Sequence, residues 1–129
     1  MRKVAVFATM LAILLALVLP ATASAQLPGP VLVGTVTIDG AAAATGTVVE
    51  ALVGTTSIGS ATTPITGGAA GSFRIEGASN SALVGQAVTF RVTAPGGVAV
   101  AGTATPAVTY AQATAVTGIA VAATSVPPT

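Results

Sequence analysis

The sequence predicts an all-β domain, seven antiparallel strands packed as a β-sandwich and preceded by an N-terminal signal-peptide helix. Three observations carry that prediction. Beyond residue 31, short runs rich in Val, Ile, Thr and Phe are separated about every 8–12 residues by glycine or proline clusters, the spacing of an all-β chain. Two of these runs, Val88-Thr89-Phe90-Arg91-Val92-Thr93 and Phe73-Arg74-Ile75-Glu76, alternate apolar and polar residues as a half-buried strand requires. Apolar residues do not recur at three-and-four spacing over any long window, and glycines interrupt every candidate helix.

Taken in order, residues 1–25 have the three-part layout of a secretory signal peptide. Arg2 and Lys3 precede an apolar run from Val4 to Leu19, Pro20 ends it, and Ala21-Thr22-Ala23-Ser24-Ala25 supplies the small residues before a cut that leaves Gln26 first. The run is shorter than the roughly 20 residues that cross a ~30 Å hydrocarbon core. A retained signal anchor is the competing reading. Residues 26–31 form a Pro/Gly leader, 32–122 the β-sandwich domain, and 123–129 a Pro/Thr-type tail. The expected strands are Leu32–Ile38, Thr47–Val53, Ser57–Thr62, Ser72–Glu76, Ala87–Ala94, Val98–Thr103 and Val116–Ala122. Asp39-Gly40, Gly54-Thr55, Gly67-Gly68 and Pro95-Gly96-Gly97 bring the residues that tight turns use. The alanines from Ala41 to Ala44 are too few to nucleate a helix and are read as loop or a single turn. Phe73 and Phe90 are the expected core anchors.

Composition removes most chemistries. The 129 residues include no cysteine, histidine or tryptophan, and only 5% are charged. That excludes a structural zinc site, a disulfide framework, a thiol nucleophile and a Ser-His-Asp triad. Four basic residues at a net charge of +1 make no footprint for a phosphate backbone, so no nucleic-acid partner is expected. Cutting 25 residues from 129 leaves 104, with Arg74 and Arg91 against Asp39, Glu50 and Glu76, and the net charge becomes −1. These three carboxylates lie in separate segments, and no Asp-x-Asp-x-Asp-Gly calcium loop occurs. Asp39 reads as a turn residue, and Glu50 and Glu76 as solvent-facing strand charges able to meet Arg74 or Arg91 across strands. Nothing activates a serine hydroxyl. No catalytic, metal or cofactor-binding residue is therefore assigned, and an enzyme is not expected. Tyr110 reads as a plug beneath the sheet more than as a platform for sugar stacking. Thr35-Val36-Thr37 and Thr103-Ala104-Thr105 resemble ice-binding Thr-x-Thr ladders, but they lack the fixed short period of a solenoid.

Four segments carry a family resemblance: Gly34-Thr35-Val36-Thr37-Ile38-Asp39-Gly40, Gly46-Thr47-Val48-Val49-Glu50-Ala51, Gly71-Ser72-Phe73-Arg74-Ile75 and Gly85-Gln86-Ala87-Val88-Thr89-Phe90. Over about residues 32–121 the chain resembles the carboxypeptidase regulatory-like and transthyretin-like modules, β-sandwiches of the prealbumin-like or immunoglobulin-like kind. In that pattern each glycine stands where a strand starts from a tight turn. The Thr-Asp that often precedes the Gly-x-Phe strand of such modules is replaced here by Thr62-Thr63-Pro64 and a Gly/Ala stretch. Related collagen-adhesin-type sandwiches often carry a Lys–Asn isopeptide bond, excluded after residue 25 by the lack of lysine. The resemblance implies a non-catalytic accessory, adhesion or stalk module.

The expected protein is thus a secreted or cell-surface β-sandwich that makes structural or adhesive protein–protein contacts, with itself or with other envelope proteins. Few charges and strand edges without lysine leave little to oppose pairing. The alternatives are a small carrier of an apolar ligand and an accessory or stalk domain of a larger hydrolase-like protein. After signal cleavage no membrane span is expected, nor a carbohydrate ligand.

Overall fold

Nine strands form within residues 26–125, the part of the chain that the computed structural model describes. The predicted signal-peptide helix and the last four residues of the predicted tail lie outside the described residues. The strands are β1 (Val31–Ile38), β2 (Ala41–Ala42), β3 (Val48–Val53), β4 (Thr56–Thr62), β5 (Ser72–Glu76), β6 (Ala87–Thr93), β7 (Ala99–Thr105), β8 (Val108–Thr109) and β9 (Ala115–Ala123). Among the described residues the sole helical element is a 3-10 turn at Ser81–Leu83, where the Asn80 side chain accepts a hydrogen bond from the Ala82 N–H. The chain is all-β, as the alternation predicts.

Each of the seven expected strands is present, with ends displaced by no more than two residues. Their arrangement differs from the expected one. In place of seven antiparallel strands there is one mixed sheet in the order β2-β1-β9-β7-β6-β3-β4, with β5 also on β1 and β8 also on β6. The exception to antiparallel pairing is β1 with β9, aligned from Val31↔Ala115 to Ile38↔Ala123. Its cause lies at the strand entries. The Ala113 N–H donates to the Pro28 carbonyl at 2.8 Å and the Val31 N–H to the Thr114 carbonyl at 2.9 Å, so β9 starts beside the start of β1 and must run with it.

The two extra strands, β2 and β8, are not among the seven expected, and Ala41–Ala42 was expected as loop or a single turn. Asp39 and Gly40 have φ of 52° and 82°, the positive values a type I′ turn requires, and they fold Ala41–Ala42 back onto Thr37 and Ile38. A run of alanines thereby becomes strand rather than loop or helical turn, because pairing with β1 outweighs its weak local preference. Val108 and Thr109 pair with Val88 and Ala87 where β7 has left β6.

The sheet curls until its far strands meet. Just past β5, the Ala78 N–H donates to the Ile58 carbonyl of β4 at 2.7 Å. Inside the curl, Phe73 of β5 meets Phe90 of β6 with ring centroids 6.1 Å apart and planes tilted by 56°, a favourable aromatic geometry. Leu32, Val36, Val49, Val92 and Val121 pack around the pair. The segment expected as a free leader is tied in: Pro30 is fully buried and its carbonyl accepts from the Gly77 N–H at 2.7 Å.

Candidate contact surface

Along β6 the inward residues are Val88, Phe90 and Val92, which leaves Thr89 and Arg91 outside. Arg91 stands directly opposite Glu50 of β3, and the two side chains approach to 3.4 Å. On β5, Arg74 and Glu76 share the outer face two residues apart, also at 3.4 Å and both largely exposed. The sequence names these four residues as candidates to pair across strands; register pairs Glu50 with Arg91 in that way, whereas Arg74 and Glu76 meet within one strand. Asp39 is separate. Its carboxylate accepts from the backbone N–H of Ser125 at 3.0 Å and from the Ser125 hydroxyl, clipping the chain beyond β9 to the β1–β2 turn. Every charged side chain of the described residues is thus engaged by a neighbour.

The hydroxyl and the backbone N–H of Ser125 hold the Asp39 carboxyl below its usual range, since both bonds favour the ionised form. A depressed folded-state value means that stability from the clip is complete above the unfolded pKa and is lost as pH falls through the folded one. Carboxyl NMR titration is expected to place Asp39 below an unfolded reference peptide, and Ser125→Ala to return it toward that reference.

Asp39, Glu50 and Glu76 are not brought together. No group of three His, Cys, Asp or Glu side chains that could hold a metal occurs among the described residues, and none of the described helices is long and apolar enough to cross a membrane.

Topology does assemble the two Thr-x-Thr segments. Thr35 and Thr37 on β1 and Thr103 and Thr105 on β7 flank β9, in register with Ala120 and Ala122. Facing residues in a ladder point to the same side of a sheet. The outer surface of β1, β9 and β7 therefore carries two rows, Thr35–Ala120–Thr105 and Thr37–Ala122–Thr103, without a charge in either. Five of these six residues are exposed and Thr37 is half-buried. Next to them, a groove of about 390 Å³ runs between β6 and β7, lined by Leu52, Thr89, Arg91, Ala99 and Ala101 among others. Leu52 shares the outward row of Thr89, yet it is only 6% exposed and is not part of the core cluster. Pairing of β3 with β4 shifts register between Ala51 and Leu52. Alternation with Val49, Ala51 and Val53 inward sets Leu52 outward beside Glu50; what alternation does not reveal is that Leu52 is covered there.

At one end of the curl lies a smaller recess of about 130 Å³, bordered by Ile38, Val92, Val98, Val100 and Ser125. Near the Pro95-Gly96-Gly97 turn, Val98 is 66% exposed. Tyr110 is fully buried, which removes it as a stacking platform. Its hydroxyl donates to the Ala78 carbonyl at 2.5 Å and accepts from the Asn80 N–H at 2.8 Å, so the ring plugs the sheet and organises the loop after β5. Tyr110→Phe is expected to cost about 0.5–1.5 kcal/mol, the net contribution of an ordinary hydrogen bond, read as a lower urea midpoint with an unchanged slope. Two further buried hydroxyls, Thr47 and Thr63, both donate to the Ala44 carbonyl and join the entry of β3 to the exit of β4.

No protein-family model, curated protein or solved structure matches this chain.

Proposed function

We propose that this chain is a secreted, non-catalytic β-sandwich module whose work is protein–protein contact at or outside the cell surface, on the plan of the carboxypeptidase regulatory-like and transthyretin-like domains. The observation that carries the proposal is the charge-free Thr/Ala surface of β1, β9 and β7, on a domain whose arginines are both paired with glutamates and whose Asp39 is held by Ser125. Such a surface loses little solvation when covered, because it has no ion to strip of water. As a sandwich, β5-β1-β9 forms one layer and β6-β3-β4 the other, with Phe73 and Phe90 meeting between them. A cleavable segment at residues 1–25 accounts for export. The space inside the curl is filled by Phe73, Phe90 and their neighbours, and the groove of about 390 Å³ is lined by the outward residues Thr89, Arg91, Ala99 and Ala101, which favours contact over an enclosed ligand cavity.

Ala122 lies at the middle of the Thr37–Ala122–Thr103 row, and lysine there places a charge in the contact surface. Sedimentation of the purified gene product over a wide concentration range is expected to show assemblies that Ala122→Lys disperses. A wild-type protein that stays monomeric at high concentration, and binds envelope proteins no differently from Ala122→Lys, would overturn the proposal.

A further inference from the structure

β9 follows every other strand of the described fold, and it is the strand that joins the two parts of the sheet. On one side it pairs with β1 in parallel, on the other with β7 in antiparallel, and without it the path from β1 to β7 is broken. Its inward residues Ile119, Val121 and Ala123 enter the core while Ala120 and Ala122 face out, so no ion pair holds it to its own chain. The segment that delivers it, Ala111-Gln112-Ala113-Thr114, contains a strained residue. Ala113 has φ of 54°, and it is neither glycine nor one of the Asn or Asp residues that tolerate this region. The strain belongs to the folded-back path, since an extended connection would return Ala113 to negative φ. Short strained connections of this kind favour exchange of the element they deliver.

We infer that β9 is exchanged between two copies of this chain, the strand of each filling the β1–β7 cleft of the other. The occupant is specified by what already fills that cleft: the same registers, Gly34 against Ile119 and Ala104 against Val121, are remade across the dimer. Only the hinge at Ala111–Thr114 changes. This inference rests on the contact proposal above and gives it a mechanism for self-association.

An engineered crosslink tests it. The chain has no cysteine, so two introduced thiols report without background. Ala104 and Val121 face one another across β7 and β9 with their side chains inward, at a ladder spacing compatible with a disulfide. In the Ala104→Cys/Val121→Cys double variant of the full gene product, concentrated under reducing conditions and then oxidised, exchange is expected to give a covalent dimer on a denaturing non-reducing gel. An intramolecular bond alone overturns exchange. If sedimentation still shows assemblies the contact proposal stands without it, and if only monomers sediment exchange falls while the contact proposal is decided by envelope-protein binding against Ala122→Lys. A second measurement leaves the core untouched. Ala113→Gly relieves the strain in the monomer and is expected to raise the dimer dissociation constant at least about tenfold, because each hinge contributes. Ala113→Val aggravates the strain and is expected to lower it; equal dissociation constants for the three proteins would overturn the inference.

Discussion

Phe90→Ala is expected to remove about 3–5 kcal/mol of stability, a large share of the ~5–15 kcal/mol that a domain usually holds. Phe90 is 2% exposed and rests on Phe73, and both are among the few aromatic residues of the described fold. Its neighbours are small: Ala51 lies opposite on β3 and Gly102 opposite on β7. Neither can grow into the space that the ring leaves. Equilibrium urea unfolding should show the variant unfolded or nearly so without denaturant, whereas Phe90→Leu keeps much of the volume and should lose less. A midpoint for Phe90→Ala close to wild type would show that the aromatic pair does not hold the two faces together.

The second large effect is expected at Gly34, where the missing side chain matters more than backbone freedom. A Cβ there would lie 1.9 Å from the Ile119 carbonyl oxygen and 2.9 Å from the Ile119 Cβ. The first obstacle is backbone and cannot swing aside, so β1 and β9 would have to separate. Gly34→Ala is expected to cost about 3 kcal/mol or more, at the upper end of overpacking penalties. Gly40→Ala supplies the contrast. Nothing lies within 4 Å of a Cβ at Gly40, so only its positive φ is penalised, at about 1–2 kcal/mol. Thermal melts of the two variants should therefore separate crowding from conformational strain; equal losses would refute the close approach of β1 and β9.

Gly34 also shows where local pattern stops being informative. Its place in the family resemblance marks it as a glycine that starts a strand from a turn. Gly46, Gly71 and Gly85 fit that description, each with positive φ just ahead of a strand. Gly34 lies instead inside β1, at the register shift with β9. Its neighbour in space is 85 residues along the chain, and no window of sequence contains both. The strands themselves were legible because alternation and turn residues act over a few positions. Asp39-Gly40 was legible as a turn for the same reason. Whereas Ala41–Ala42 is made strand by its pairing across a local turn, the parallel direction of β9 and the short strand at Val108–Thr109 depend on partners distant in sequence. So does the candidate surface. The two Thr-x-Thr segments do not repeat at a fixed period, yet the sheet order places them on one face with β9 between them. The ion pairs were half legible: four residues of suitable sign, with Glu50 brought opposite Arg91 by strand register and Glu76 meeting Arg74 within β5.

The parallel pairing of β1 and β9 also determines how the domain carries a load. The chain enters the ladder at Val31, level with Ala115, and leaves it at Ala123, level with Ile38, at the opposite end. Tension applied through the two flanking segments therefore pulls the strands past one another along their length. All the hydrogen bonds between them are loaded together, instead of one after another as in a hairpin opened from its free end. The Ile119 backbone seated against Gly34 adds a steric stop to that sliding. A domain built in this way resists extension most strongly along the line joining the two ends of the β1–β9 ladder.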